Sequence, residues 1–403
     1  MRVLFLHQNM PGQFKHLAQH IAADRANQVV FVTRRPDIQL PNITKVQYPP
    51  PRPVNEGTHH YLRSFENAIL HGQQVARVAL ELKQKGFVPD VVVAHPGWGE
   101  SLFVKDVFPD APVLSFCEFY YRAHGADTNF DPEFPLEFDD VFRLRVRNSH
   151  LLHALTSCDR GLSPTEWQKA QHPAELRDKI SVVFDGIDTE AIRPDPTVRF
   201  ALPNGRVLTR DDPVVTYVSR NLEPYRGFHI FIRALPEILR RRPDAQVVLL
   251  GGDEVSYGRP PKEGGSWREV MLKEVPLDLS RVHFLGKVPY PRYLDLLKVS
   301  AAHVYLTVPF VLSWSMIEAM SAGCLIIGSA TPPVVEALED GRNGLLVDYF
   351  STSAVADRVV EALDDPARFA DIRRRARETA IARYDVKDCL AGHLALINGL
   401  LPK

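Results

Sequence analysis

The chain contains 403 residues, of which 45% are hydrophobic and 24% are charged, and its formal net charge is −1. This composition excludes a disordered chain, and the near neutrality excludes a global electrostatic attraction to nucleic acid or to anionic lipid. The length exceeds what one hydrophobic core usually organises, so it predicts two domains of roughly 150 to 200 residues each.

The first half of the chain shows the alternation that parallel α/β domains have. Residues 3–6 are apolar and predict a buried first strand, not a signal peptide. No apolar run approaches the roughly 18 residues that a membrane-spanning helix requires. Short β-branched runs then alternate with helical stretches, which indicates parallel strands joined by crossover helices. We predict further strands at 29–33, 90–94, 113–116, 161–163 and 180–184, and helices at 13–22, 65–85 and 142–154.

A turn-rich stretch at 185–212 ends this pattern and predicts a linker, after which a second Rossmann-like unit begins. Its predicted strands are 214–218, 246–251, 282–285, 303–307 and 325–328, and its predicted helices are 229–241, 290–298, 314–322 and 333–338, followed by an arginine-rich helical region at 353–401. The predicted boundaries are a first domain at 1–190, a linker at 191–212, a second domain at 213–380, and a helix at 381–403 that crosses back to the first domain.

The most informative stretch is Ser313-Trp-Ser-Met-Ile-Glu-Ala-Met-Ser-Ala-Gly, which predicts a helix that Gly323 ends before a strand. In a doubly wound sheet the amino end of such a helix points into the ligand crevice. That helix end can hold a diphosphate, and Glu318 can accept hydrogen bonds from both hydroxyls of a ribose. In isolation, Glu318 also fits a solvated helix residue.

Four motifs in order resemble the retaining glycosyltransferases of family four, and the resemblance covers nearly the whole chain. They are Ser219-Arg-Asn-Leu-Glu-Pro-Tyr-Arg-Gly-Phe, Val282-His-Phe-Leu-Gly-Lys-Val, Ser315-Met-Ile-Glu-Ala-Met-Ser-Ala-Gly and Gly341-Arg-Asn-Gly-Leu-Leu-Val. The resemblance implies the GT-B fold, an α/β architecture in which two Rossmann-like, doubly wound domains face each other across a cleft.

The resemblance also implies roles for two arginines and a carboxylate. Arg220 and Arg226 would clamp the donor diphosphate and stabilise charge on the leaving nucleotide. The family usually has lysine at the second position, and arginine adds a planar fork there. Glu318 would bind the ribose. The plain alternative is that Arg226 pairs with Glu223 on the surface.

The remaining donor contacts implied by the resemblance come from backbone. The base would lie near Gly286 and Val288, and backbone N–H groups would reach sugar hydroxyls and phosphate from Leu312, Ser313, Trp314 and Ser315. The family usually carries a second glutamate eight positions before Glu318, in contact with the sugar. This chain has Phe310 there, so the sugar and the catalytic detail depart from the family's pattern.

In the first domain, Pro11-Gly-Gln-Phe follows the first strand, and Gly12 permits close approach of the backbone to a phosphate or sugar. This is not a G-x-G-x-x-G motif and gives no support to a nicotinamide cofactor. His95 resembles the family's active-site histidine at a strand end. Glu100 and Glu118 are candidates to orient the acceptor at the same rim. All three side chains also fit ordinary hydrogen-bonded or solvated groups.

The sequence therefore predicts transfer of a sugar from a nucleoside diphosphate donor, with retention, to a hydroxyl of a glycan, a lipid-linked saccharide or a small molecule. The resemblance implies that the departing phosphate takes the acceptor's proton. No metal is expected, because the chain has no Asp-x-Asp tripeptide and the arginines can neutralise the diphosphate. No cofactor and no nucleic acid partner are expected.

Four scattered cysteines without C-x-x-C spacing indicate a cytoplasmic protein without a zinc site. A basic and then apolar segment at 143–155 fits peripheral contact with the inner membrane face if the acceptor is lipid-linked, or an ordinary amphipathic helix. Two other functions stay open: a GT-B binding protein without catalysis, and an enzyme like the nucleotide-sugar 2-epimerases.

Overall fold

The computed structural model describes residues 1–402. The chain forms two compact units: Met1–Gly186 together with the residues from Val386 onward, and Ile187–Asp385. Each unit is built on one parallel sheet with helices between successive strands. This confirms the predicted α/β class with two Rossmann-like units.

The first unit contains a seven-stranded sheet in the order β3-β2-β1-β4-β5-β6-β7, in which every neighbouring pair is parallel. The order reverses between β1 and β4, which makes their carboxyl ends the topological switch point. The strands are β1 Arg2–Leu6, β2 Gln28–Thr33, β3 Ile43–Gln47, β4 Val91–Ala94, β5 Val113–Phe116, β6 Arg160–Ser163 and β7 Ile180–Val182.

Six helices of the first unit come before the second unit in the chain. The predicted helix at 142–154 is interrupted at Asn148, whose side-chain amide exchanges two hydrogen bonds with the backbone of Tyr121, at 3.0 and 2.8 Å. The helices are α1 Lys15–Ala23, α2 Arg63–Gln84, α3 Val104–Val107, α4 Phe138–Arg147, α5 Ser149–Ser157 and α6 Glu166–Gln171.

Both faces of this first sheet are buried, because successive residues of a strand point to opposite faces and both faces carry helices. Leu4 and Leu6 of β1 pack in one apolar cluster, whereas Val3 and Phe5 pack in the other. Continuous apolar strands of this kind are recognisable in sequence. The edge strand β3 is only partly buried, and its weak apolar pattern explains why the sequence did not predict it.

The second unit has a six-stranded parallel sheet in the order β12-β11-β10-β13-β14-β15 and a two-stranded antiparallel sheet of β8 and β9. The switch point of the larger sheet lies between β10 and β13. The strands are β8 Phe200–Ala201, β9 Val207–Leu208, β10 Val214–Asn221, β11 Gln246–Gly252, β12 Val282–Phe284, β13 Ala302–Tyr305, β14 Ile326–Ser329 and β15 Leu345–Val347.

The helices of the second unit follow its strands. They are α7 Phe228–Arg241, α8 Trp267–Glu274, α9 Tyr290–Val299, α10 Trp314–Ser321, α11 Pro332–Val335, α12 Thr352–Asp364 and α13 Ala370–Tyr384. The residues predicted as a linker belong to this unit and include β8 and β9. The sequence also missed α8 and β15, both of which are short.

Two arginines of the arginine-rich helix α13 are bonded to backbone carbonyls of the second unit. Arg377 donates to the backbone carbonyls of Thr189, Ile192 and Ser321, and Arg373 donates to the carbonyl of Ala301. These bonds attach the helix to its own unit. The last helix, α14 Val386–Asn398, belongs to the first unit, where it contacts α1.

None of the helices within residues 1–402 combines the length and the hydrophobicity that crossing a bilayer requires. The four cysteines are buried free thiols. Several histidines are also buried. Burial lowers the pKa of His172, His303 and His393 from 6.5 to about 4.

These three histidines predict acid sensitivity. Between pH 6.5 and about 4 the unfolded chain binds protons at imidazoles that stay neutral in the folded state, so lowering the pH favours unfolding. These histidines therefore leave the free energy of unfolding unchanged above pH 6.5. As the pH falls from 6.5 toward 4, each of them lowers the free energy of unfolding by at most about 1.4 kcal/mol per pH unit. Melting temperatures measured from pH 8 to pH 4.5 should be flat above pH 7 and fall below pH 6. A flat profile down to pH 4.5 would contradict this prediction.

Candidate active site

Arg226 and Glu318, two of the predicted donor residues, follow β10 and β13, the two strands that flank the switch point of the second sheet. Arg226 lies in a 3-10 turn at Pro224–Arg226, between β10 and α7. Gly227 has φ of +68° and ends this turn, and a Cβ at Gly227 would lie 2.4 Å from the Cβ of Leu306. Glycine is required here both by the left-handed backbone and by the close approach of the chain after β13.

The Arg226 side chain is buried, with 8% of its surface exposed. Its guanidinium donates to the Thr307 hydroxyl at 2.9 Å, to the Val311 carbonyl at 3.0 Å and to the Tyr305 hydroxyl at 3.4 Å. Arg226 therefore does not pair with Glu223, because all three of these acceptors are uncharged and no carboxylate of the described chain forms an ion pair with it. A buried cation without an anion carries an uncompensated desolvation cost.

Aromatic rings enclose the same guanidinium, which lies 5.3 Å from the ring centroid of Tyr257 and 5.6 Å from that of Phe310. Phe310 packs edge-on against Tyr225, with 5.1 Å between the ring centroids. Burial works against the charged form of Arg226, but the hydroxyls of Tyr305 and Tyr257 outweigh it and raise its pKa. The guanidinium thus remains charged inside a mostly apolar enclosure.

Glu318 lies in α10, whose first turn is next to the Arg226 site. The Tyr305 hydroxyl, which receives a hydrogen bond from Arg226, also receives one from the Ser313 backbone N–H at 2.9 Å, directly before α10. Both carboxylate oxygens of Glu318 accept hydrogen bonds, from Tyr290 at 2.5 Å and from Tyr293 at 2.6 Å. The carboxylate is therefore held in place by two hydroxyl donors, one on each oxygen.

The backbone donors expected at the start of α10 are partly occupied. Ser313 donates to Tyr305, and Ser315 donates to the Ser313 side chain at 3.3 Å. Leu312 is buried and Trp314 is 38% exposed. The structure therefore assigns two of the four predicted N–H groups to bonds within the protein.

The other predicted donor residues are more exposed. Arg220 is exposed in the last part of β10, where it interacts electrostatically with Glu254 and lowers the pKa of that carboxyl, a smaller effect than that of Lys287. Gly286 has φ of +66°, and its carbonyl accepts from the Gly251 N–H. Val288 is half-buried. No hydrogen bond of the described chain joins these residues to Arg226.

At the switch point of the first sheet, His7 follows β1 and His95 follows β4, and their ring centroids are 4.7 Å apart. The Asn9 N–H donates to Nδ1 of His7, and the Gly97 N–H donates to Nδ1 of His95. In a neutral ring the proton is then on Nε2. Burial lowers the pKa of His7 well below its ordinary value, so His7 is neutral near pH 7.

A glutamate and a glutamine connect these two histidines. Glu118 lies 3.2 Å from Nε2 of His95 and accepts from the Gln13 amide at 2.6 Å, and the Gln13 carbonyl lies 2.8 Å from Nε2 of His7. The predicted residues His95 and Glu118 are thus brought together. The sequence missed His7 and Gln13, although His7 follows β1 in the same way that His95 follows β4.

Glu100 does not lie on the rim where the sequence placed it. It is 1% exposed, and its Oε1 accepts from the Tyr48 hydroxyl at 2.8 Å and from the Gln8 amide at 3.3 Å. Burial raises the pKa of this carboxyl. A small pocket of about 50 Å³ opens instead beside His95 and Glu118, with Phe116 and Leu155 among its apolar walls.

Gly12 lies directly against His7 in the histidine network, which consists of His7, Gln13, Glu118 and His95. Its φ is +51°, and a Cβ there would lie 2.3 Å from Nε2 of His7. The sequence correctly predicts that Gly12 allows a close approach, but the group that approaches in this structure is the imidazole. The expected contact with phosphate or sugar stays a prediction.

Substitution of Gly12 by alanine should destabilise the protein by about 2 kcal/mol or more, because backbone strain and the clash with His7 add. Gly86→Ala is the control, since Gly86 has φ of +86° and no atom within 4 Å of a Cβ. It should cost only the strain, about 1 kcal/mol. Free energies of unfolding from urea titrations would measure both, and equal costs would show that His7 does not constrain this position.

Comparison with known proteins agrees with this architecture. Residues 25–192 match the family described as "Glycosyl transferase family 4 group", and residues 212–365 match "Glycosyl transferases group 1". HepE from Anabaena in complex with UDP has a TM-score of 0.68 at 16% identity, covering 99% of this chain and 100% of that chain. Sucrose-phosphate synthase from Thermosynechococcus elongatus has a TM-score of 0.71 at 17% identity, covering 99% of both chains.

Several relatives are similar in sequence, among them two glycosyltransferases. The GDP-mannose-dependent alpha-(1-6)-phosphatidylinositol monomannoside mannosyltransferase of Mycolicibacterium smegmatis is 28% identical over 53% of this chain and 55% of its own length. The D-inositol 3-phosphate glycosyltransferase of Acidothermus cellulolyticus is 25% identical over 61% and 54%. The chain thus spans about half the length of these relatives.

The fold class is GT-B, which the predicted architecture named. The two family models together cover most of the chain, and they identify it as a group 1 glycosyltransferase that is similar to family four.

Proposed function

We propose that this protein transfers a sugar from a nucleoside diphosphate sugar to an acceptor hydroxyl, with retention at the anomeric carbon. The acceptor is a glycan, a lipid-linked saccharide or a small molecule. Retention and the absence of a metal requirement follow from the resemblance to family four. The donor base is left open, since the name of one relative contains GDP-mannose and one structural neighbour was solved with UDP.

The observation that carries this proposal is the burial of Arg226 among uncharged groups. The guanidinium is 8% exposed, and its described partners are hydroxyls and a carbonyl. A diphosphate would supply the missing negative charge, and guanidinium groups bind phosphate oxygens through paired, charge-assisted hydrogen bonds. As the nucleotide leaves, negative charge grows on the diphosphate, so the interaction strengthens in the transition state.

The position of Glu318 supports a ribose site beside this cation. Tyr290 and Tyr293 fix both carboxylate oxygens, which reduces the entropy that ligand binding must cost. In this proposal the carboxylate oxygens of Glu318 accept the hydrogen bonds of the ribose hydroxyls. We place the base near Gly286 and Val288, and we assign Arg220, which is exposed, to the outer side of the diphosphate.

The histidine network of the first unit supports an acceptor site. His95 and Glu118 line a small pocket of about 50 Å³, and Glu118 is partly exposed at 31% of its side chain. We assign Glu118 to the acceptor hydroxyl and His95 to its orientation. The departing phosphate oxygen takes the acceptor's proton in this proposal, so no second carboxylate is needed at the reacting carbon.

A second candidate is a protein that binds nucleotide sugars without transferring them. Phe310 favours it, because an aromatic ring occupies the position where family four usually has a glutamate that contacts the sugar. Donor binding and donor hydrolysis measured together separate the two functions. Binding without hydrolysis or transfer would support the second candidate.

Replacement of Arg226 by alanine should lower turnover about 100-fold or more, because a preorganised charge is lost where the leaving group develops charge. Arg226→Lys should lose less, since the charge remains without the planar fork. Phe310→Ala should have a smaller effect than Arg226→Ala. Initial rates with UDP-glucose and GDP-mannose would measure these changes, with Arg240→Ala, which removes an exposed cation paired to Glu237, as the control. Near-normal turnover of Arg226→Ala would contradict the proposed role.

Replacement of Glu318 by glutamine should weaken nucleoside diphosphate binding about tenfold, because an amide offers one acceptor oxygen in place of two. Thermal stabilisation by UDP, GDP, ADP and dTDP identifies the base first, since a ligand that binds only the folded state raises its stability. The Glu318→Gln protein should then show a smaller stabilisation by that nucleotide. Glu237→Gln changes an exposed helix carboxylate and should behave like the unaltered protein. Equal stabilisation in both variants would remove Glu318 from the donor site.

A further inference from the structure

The loop after β11 is fastened to the turn that carries Arg226. The Glu223 carboxylate, which is 0% exposed, accepts hydrogen bonds from the backbone N–H groups of Ser256 at 3.1 Å, Tyr257 at 3.3 Å and Gly258 at 2.9 Å. The Asn221 amide group lies 2.7 Å from the Ser256 hydroxyl and adds a further hydrogen bond. Three consecutive N–H groups pointing at one anion form a backbone nest, and here the chain's own glutamate occupies it.

This attachment determines where Tyr257 lies. The Tyr257 ring is 5.3 Å from the Arg226 guanidinium and 5.0 Å from the Phe310 ring. Tyr257 is 41% exposed, whereas Arg226 is 8% exposed and Phe310 is 6% exposed. One side of the tyrosine thus faces solvent while the other covers the cation, so the loop shields the guanidinium from water.

We infer that Glu223 is a positioning residue for donor binding, acting through Tyr257 to keep water away from the Arg226 guanidinium. This inference rests on the proposed role of Arg226 as the partner of the donor diphosphate. In a water-excluded enclosure the attraction between guanidinium and phosphate is stronger than at a surface. It is also screened less by dissolved salt. Loss of the Glu223 attachment would release Tyr257 and hydrate the cation.

The test measures how nucleotide binding depends on salt. Dissociation constants for UDP and for GDP would be determined calorimetrically at about 0.05 M and about 0.5 M sodium chloride. The unaltered protein should show a small change between the two salt concentrations. Glu223→Ala should bind the preferred nucleotide about tenfold more weakly at low salt, with a several-fold steeper salt dependence. A role in folding alone would not change the salt dependence.

Variants of the aromatic residue test the route through Tyr257. Tyr257→Ala should reproduce both the weaker binding and the steeper salt dependence, and its partly exposed side chain makes folding tolerant of the change. Tyr257→Phe keeps the ring and should stay close to the unaltered protein. Glu223→Gln keeps one acceptor oxygen for the loop, so it should lie between Glu223→Ala and the unaltered protein.

The double variant Glu223→Ala/Tyr257→Ala decides whether the two residues act together. If Glu223 acts through Tyr257, the double variant should bind no more weakly than either single variant, so the effects are not additive. Fully additive effects would overturn the inference. Glu274→Ala is the control, because it removes an exposed carboxylate that pairs with Arg233, and it should leave binding and salt dependence unchanged.

The outcomes separate this inference from the proposed function. If Arg226→Ala weakens nucleotide binding but Glu223→Ala and Tyr257→Ala do not, the inference fails and the proposed function stands. Tighter binding by Tyr257→Ala would show that the ring obstructs the site, and it would also overturn the inference. If the unaltered protein binds none of the four nucleoside diphosphates, both fail together.

Discussion

The candidate donor site depends on one electrostatic constraint: a permanently charged guanidinium is buried where the described chain provides no anion to pair with it. Arg226 is anchored by a carbonyl and by hydroxyls, which satisfy hydrogen-bond geometry but do not neutralise charge. Proteins rarely retain such an arrangement without compensation. The neighbouring residues position and enclose the Arg226 guanidinium. Gly227 allows the turn that carries Arg226, aromatic rings enclose the guanidinium, and Tyr305 connects it to the start of α10.

The two units share one sheet topology but carry different side chains at the point where the strand order reverses. Each has a parallel sheet whose strand order reverses once, and in each the side chains that follow the two central strands meet at the reversal. In the second unit these side chains are a cation and hydroxyls, which suit an anionic ligand. In the first unit they are His7 and His95, joined through Gln13 and Glu118, which suit an uncharged hydroxyl compound.

The sequence predicted the buried strands, the crossover helices and the position of Glu318, because continuous apolar runs and a glycine-terminated helix are local signals. It did not predict β3 and α8, whose patterns are short and half-exposed, or β15, which has only three residues. The alternative that Glu223 pairs with Arg226 on the surface is wrong, because that carboxylate is buried and binds a loop about 35 residues further along the chain. Contacts between residues so far apart in the chain leave no periodic pattern in the sequence. The aromatic enclosure around Arg226 could not be predicted for the same reason, because its residues come from three separate loops.

The return of the last helix to the first unit affects how the protein is made. Ile397 of α14 is 0% exposed and belongs to one of the two apolar clusters of that unit, so this cluster is incomplete until the end of α14 has left the ribosome. Domains generally fold in order from the amino terminus during synthesis. In this chain the first unit keeps part of its apolar surface uncovered until the whole second unit and α14 have been synthesised. The first unit is therefore completed after the second, which reverses the order of synthesis.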